Sequence, residues 1–161
     1  MLDHKVLRCL ARQGGEGEAF WLLGDHYTFK ISSEETMGSL AVIEHTSFPQ
    51  NGPPPHIHHR EDESFYILEG MVSVLLGDQS LEAHMGDFIH IQKGTLHTYK
   101  NIGAKPSRML VILTPGGFEN FWRELGEPAR QNSTPPRPPE GIIERLIALA
   151  PKYHLEIPAP G

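Results

Sequence analysis

The sequence predicts an all-β fold, a sandwich or barrel, on three observations. From His56 to Thr114, runs of about five residues of strand character alternate with turn signals every 8–12 residues. Gly 16 and Pro 14 suit many short strands better than helices. No part of that stretch sustains a helical period. A chain of 161 residues is read as one domain, long enough to bury a core without disulfide staples.

In chain order, residues 1–18 end in RQGGEGE and predict a flexible approach. The barrel is placed at 19–115. Phe20–Leu23 is a short apolar run before the Gly24-Asp25 turn, and Tyr27–Ile31 alternates as a half-buried strand. Leu40–Phe48 reads as a long strand with Ala41, Ile43, His45 and Ser47 on one face. The run PQNGPPP stops it, because prolines cannot donate to a ladder. Strands then follow at Glu63–Leu68, Met71–Leu76, Ser80–His84, Phe88–Gln92, Leu96–Asn101 and Arg108–Thr114, separated mostly by glycine-bearing turns.

Residues 116–161 change character. Phe118, Phe121, Trp122 and Leu125 follow helical spacing up to Gly126 and Pro128. TPPRPP is a stiff linker, Glu140–Ala150 a second amphipathic helix, and YHLEIPAPG an extended tail. Helices this short need a surface, so both are expected on the barrel or on a second subunit.

Composition narrows the function. A net charge of −6 leaves no basic footprint for nucleic acid or an anionic membrane. Cys9 is the one cysteine, which excludes an internal disulfide and a multi-cysteine zinc site. The N-terminus lacks a long apolar leader and no segment approaches a membrane span, so a cytoplasmic location is expected. Ten histidines is the oddity. His4, His26, His84 and His154 are scattered and read as ordinary, and His45 and His90 are placed on the outer wall of the barrel.

The chemistry concentrates in PPPHIHHREDESFYILEG, residues 53–70. His56 and His58 alternate, so on a strand they point to one side about 6.6 Å apart. Arg60-Glu61-Asp62 suits a solvated turn that returns Glu63 beside them. Imidazoles and a carboxylate are the ligand types of a divalent first-row metal. Phe65 and Ile67 share Glu63's face and are expected to wall the site. His97 is a fourth candidate; if it points inward, Tyr99 and Asn101 do too, leaving Thr98 and Lys100 outside. Phe118 and Trp122 are read as core.

Two motifs at fixed spacing carry a resemblance. Gly52, His56-x-His58, four residues, Glu63, six residues, Gly70 resembles the first motif of the cupin superfamily. Gly86, five residues, Gln92-Lys93-Gly94, two residues, His97, three residues, Asn101 resembles its second, with Gln92 where the family usually has proline. The match runs from about residue 40 to 115, and the helical tail looks like that of single-domain quercetin 2,3-dioxygenase-like cupins. The resemblance implies a double-stranded β-helix, or jelly-roll barrel, holding a metal at its mouth through His56, His58, Glu63 and His97. Iron, nickel, cobalt, manganese, copper and zinc all suit that donor set.

The expected activity is a quercetinase-like dioxygenase acting on a small enol, catechol-type aromatic or dicarbonyl substrate. Glu63 would serve there both as ligand and as proton acceptor. The competing expectations are a redox-neutral isomerase, decarboxylase or hydrolase at the same metal, and a non-catalytic small-molecule-binding module. A homodimer is expected, because the Phe20–Leu23 run and the C-terminal helices exceed one barrel.

Overall fold

A computed structural model describes residues 9–130 and 133–159. The first strands are β1 (Ala19–Leu22), β2 (Asp25–Ile31), β3 (Ala41–Ser47), β4 (Ile57–His58) and β5 (Asp62–Glu69). They are followed by β6 (Met71–Leu76), β7 (Gln79–His84), β8 (Phe88–Ile91), β9 (His97–Asn101) and β10 (Ser107–Thr114). The C-terminal part adds α1 (Glu119–Leu125), β11 (Glu127–Pro128), α2 (Ile142–Leu149), a 3-10 turn (Ala150–Tyr153) and β12 (Leu155–Glu156).

A seven-stranded antiparallel sheet, in the order β11-β1-β2-β3-β10-β5-β8, faces a three-stranded one, β7-β6-β9. The two enclose a jelly-roll barrel. Period-two alternation decides what fills it. In β3, Ala41, Ile43, His45 and Ser47 are buried while the residues between them are half-buried. Ile43, Phe65, Ile67, Val111 and Leu113 of the large sheet meet Val72, Val74 and Tyr99 of the small one in a single core.

The described part of the expected flexible approach is anchored. The Arg12 guanidinium donates to Lys30 O at 2.8 Å and pairs with Glu35 at 2.6 Å, and Glu18 O accepts from Phe29 N–H at 2.8 Å. Its first eight residues, His4 among them, lie outside the described set. The apolar run Phe20–Leu22 is covered from within the chain. It pairs with β2 and β11 and packs under α1, and a Cβ on Gly126 would sit 2.9 Å from Phe20 Cβ. α1 buries Phe121, Trp122 and Leu125 in the core, whereas α2 buries only Ile142 and Leu146 of its stripe and leaves Ile143 and Ile147 exposed. Among the described residues no helix is long and apolar enough to cross a membrane.

Two backbone details place the site. Residues 50–56 run antiparallel beside β9: Gln50 N–H donates to Asn101 O, Asn101 N–H to Asn51 O, and His56 N–H to His97 O. Gly52 permits this approach, since a Cβ there would lie 1.9 Å from the Tyr99 carbonyl oxygen. The extended tail expected at the C-terminus becomes β12, which pairs with β4 and so closes the second side of the His-x-His strand.

Candidate metal centre

The three prolines before His56 hold the chain extended, and the two-residue β4 keeps His56 and His58 on one side of it. That strand is held by its backbone on both edges. His56 and His97 exchange reciprocal N–H···O bonds of 3.0 Å, and Gly94 N–H donates to His58 O at 2.7 Å. On the other edge His59 N–H donates to His154 O at 2.9 Å. The 92–95 turn forms without the motif proline. Thr95 N–H closes it on Gln92 O at 3.2 Å, and Asp62 Oδ1 accepts from Lys93 N–H at 2.9 Å.

His56, His58, Glu63 and His97 are all buried and each offers a donor atom, with all four atoms within 4.8 Å of one another. His56 Nδ1–H donates to Pro54 O and His97 Nδ1–H to Thr95 O, both at 2.9 Å. A carbonyl only accepts, so these bonds assign the proton to Nδ1 and turn Nε2 toward the centre. Glu63 Oε2 lies 2.8 Å from His97 Nε2 and 3.6 Å from His58 Nε2.

Without a metal, Glu63 pairs with His97, and His56 stands beside them as a neutral ring. Burial alone would raise Glu63, but the charge of His58 and the His97 hydrogen bond outweigh it and bring its pKa to about 2. Burial lowers His97 as well, yet the hydrogen bond and charge of Glu63 leave it above its ordinary 6.5. His56 has no such partner; burial, aided by His97 and His58, drives it to about 3. A proton on His97 Nε2 thus stands where a cation is wanted. The residues fit a divalent metal: three imidazoles with two ring orientations fixed from behind, and one carboxylate that stays ionised.

A cavity of about 180 Å³ opens onto this centre. His56, His58 and Glu63 form its polar floor, whereas His97 does not line it. Among the described residues Glu63 Oε1 carries no hydrogen bond, and Glu63 lines the cavity. Tyr27 and Tyr99 form one wall; Phe118, Phe121 and Trp122 of the α1 region form another. Leu22, Leu146, Leu155 and Ile157 close it, so the C-terminal extension supplies six of the nineteen residues that line the pocket.

Several expectations need correction. Phe65 and Ile67 share Glu63's face, but both are fully buried and neither lines the cavity. The face runs down into the barrel, and the Tyr99 ring stands beside Phe65 at 5.3 Å. Phe118 and Trp122 are buried as expected, and they also form cavity wall. Glu61, read as part of a solvated turn, is 1% exposed and lies against His58. Its neighbours His59 and Asp62 keep more solvent, His59 reaching Glu156 at 2.6 Å.

His45 is not on the outer wall. It is buried, and its Nε2 lies 3.1 Å from Asp25 Oδ2. Asp25, a cavity-lining residue, also accepts from Phe48 N–H at 3.2 Å and Asn51 Nδ2 at 3.0 Å. The face shared with Ala41 and Ile43 was the available signal for His45; Asp25, in a turn dipeptide, offered none. Tyr27 stacks between His45 at 4.5 Å and Trp122 at 5.0 Å. Burial raises both Tyr27 and Tyr99 above the usual phenol range, so both keep their protons. His90 does sit outside, exposed and bonded to Ser64 Oγ at 2.8 Å.

Barrel and cluster define a jelly roll with three histidines and a glutamate at its mouth. Residues 46–113, a little under half of the chain, match the family model described as the cupin domain. The chain is 28% identical over 149 residues to the quercetin 2,3-dioxygenase of Bacillus subtilis (strain 168), covering 92% of this chain and 44% of that one. Against the quercetin 2,3-dioxygenase of Aspergillus japonicus it is 28% identical over 118 residues, or 68% of this chain and 33% of the other. The chain spans less than half the length of these relatives. A solved structure of a predicted oxalate decarboxylase from Thermotoga maritima shares the fold with a TM-score of 0.62 at 17% identity, over 66% of this chain and 99% of that one.

Proposed function

We propose that the protein is a metal-dependent dioxygenase of the quercetinase-like kind, acting on a small enol or catechol-type aromatic or dicarbonyl substrate. The observation that carries this reading is the cavity itself, walled by aromatic rings and floored by His56, His58 and Glu63. The similarity to two quercetin 2,3-dioxygenases supports it. A divalent transition metal held by His56, His58, Glu63 and His97 would supply Lewis-acid polarisation of a bound substrate oxygen.

The chain's own residues do the rest. Phe118, Phe121 and Trp122 present ring faces and edges to a flat substrate and exclude bulk water. Glu63 lines the cavity and accepts the proton of a substrate hydroxyl. Tyr27 and Tyr99 remain neutral hydroxyls able to donate to the substrate.

The test is oxygen uptake by metal-reconstituted protein given a flavonol in air, with each of the six metals in turn. Uptake of one dioxygen per flavonol is expected with at least one metal. No uptake with any of them sinks this substrate class. Turnover under strict anaerobiosis would instead favour redox-neutral chemistry, and stabilisation by the flavonol without product would favour a binding module.

A further inference from the structure

The geometry points to Glu61 as the positioning residue of the metal centre: its carboxylate takes the Nδ1–H of His58 and holds that ring with Nε2 aimed at the ion. For the other two histidines the backbone does this work, through Pro54 O for His56 and Thr95 O for His97, each two residues upstream. The equivalent acceptor for His58 would be His56 O, which is engaged by His97 N–H at 3.0 Å. His58 Nδ1 faces Glu61 Oε2 instead, at 3.7 Å. Both atoms are sealed from solvent, and among the described residues neither has a hydrogen-bond partner.

Glu61 shows no competing task. Among the described residues its one hydrogen bond is from Arg60 Nη1 to Oε1, at 3.3 Å, and it caps no backbone N–H. A carboxylate buried to 1% exposure costs free energy unless it is paired, and a lone unmet oxygen calls for a reason. The reason lies on both sides of His58. Phe118 packs edge-to-face on the ring at 4.4 Å, and Arg60, which holds Glu61, lies across Gly117. At Gly117 φ is +129° and a Cβ would meet Arg60 Nη1 at 2.8 Å, so the backbone leaves room for that guanidinium. A separation of 3.7 Å exceeds a hydrogen bond, and a tilt of the ring by less than about 1 Å closes it. A ligating imidazole whose far N–H is bound to a carboxylate keeps one tautomer and donates more strongly to the ion.

This inference rests on the metal reading of the centre and on no particular substrate. Its test titrates Co(II) calorimetrically into metal-free wild type, Glu61→Ala and Glu61→Gln, each also combined with His58→Ala. Long-range nitrogen–proton NMR of the histidine rings in the metal-free proteins gives the His58 tautomer independently. Glu61→Ala is expected to weaken Co(II) binding about 10–100-fold. Glu61→Gln should lose less, because its amide oxygen still accepts the Nδ1–H. Neither change should weaken binding further once His58 is alanine, and the His58 Nδ1–H signal should give way to mixed tautomers in Glu61→Ala. Equal Co(II) affinity in wild type and Glu61→Ala overturns the assignment. So does an equal loss with and without His58, which marks a general packing role. If Glu61→Ala does not fold, Glu61→Gln carries the same comparison, and its failure to change either readout overturns the assignment. A wild type that takes up no Co(II) removes the metal reading and this inference together, whereas absent oxygen uptake alone removes only the dioxygenase.

Discussion

His56 and His97, forty-one positions apart in the chain, are joined by two backbone hydrogen bonds of 3.0 Å, each donating to the other's carbonyl. Their imidazole centroids lie 4.3 Å apart as a result. The ligand set therefore does not rely on side-chain flexibility to assemble. A narrow antiparallel bridge brings the two motifs into register, and Gly52 permits the approach because its missing Cβ would otherwise strike the Tyr99 carbonyl.

That rigidity makes the loss of one ligand costly. His97→Ala removes a donor and also the partner of Glu63 Oε2. Metal content of freshly purified His97→Ala should fall well below that of wild type, by more than the roughly 10–100-fold affinity loss typical of an outer partner. Equal metal content in the two proteins would contradict the role given to His97.

The same cluster sets a pH dependence for the metal-free protein. The folded pKa of His56 is depressed from 6.5 to about 3, so its contribution is present above 6.5 and lost as pH falls toward 3. Glu63 is depressed from 4.5 to about 2, and its contribution is lost over that lower window. His97 runs the other way: raised above 6.5, its contribution is complete below 6.5 and lost as pH rises through the folded value. Two groups on the acid side against one on the alkaline side predict a Tm that declines below about pH 6 in the presence of chelator. A Tm that is flat from about pH 4 to 7 would contradict this. Metal uptake, which needs neutral His97, should release a proton, measurable as a buffer-dependent binding enthalpy.

Asp25 is the hub of the opposite cavity wall. Asp25→Ala leaves His45 Nε2, Asn51 Nδ2 and Phe48 N–H without their acceptor, in a region where His45 is almost fully buried. Each orphaned buried donor costs about 1–3 kcal/mol. Asp25→Asn keeps one acceptor oxygen and should cost less. Urea unfolding of the metal-free proteins measures both, and a stability of Asp25→Ala within 0.5 kcal/mol of wild type, roughly the scale of a surface substitution, would refute the hub.

Much of this molecule was legible from local pattern. Alternation placed nearly every barrel strand within a residue or two and sorted β9 correctly, with His97, Tyr99 and Asn101 buried and Lys100 exposed. That legibility has a physical basis: a strand buried on one face must alternate, whatever it pairs with. Glu61 was misread because polarity in a turn usually means solvent, whereas in the folded chain it is 1% exposed and lies against His58. Phe65 and Ile67 show the converse. Sharing a face with Glu63 says which side of the sheet they occupy and nothing about depth along the barrel.

By itself, then, the sequence determined where the strands lie along the chain and which residues of each share a face, because spacing along a strand fixes direction, and the resemblance of two motifs named the four clustered side chains. The tertiary structure decided what surrounds them. The pairing of β12 with β4, the packing of α1 as cavity wall, the burial of Glu61 and the Asp25–His45 pair all join residues distant in the chain. No local periodicity encodes such meetings; they exist only once the strands have paired and the C-terminal extension has packed.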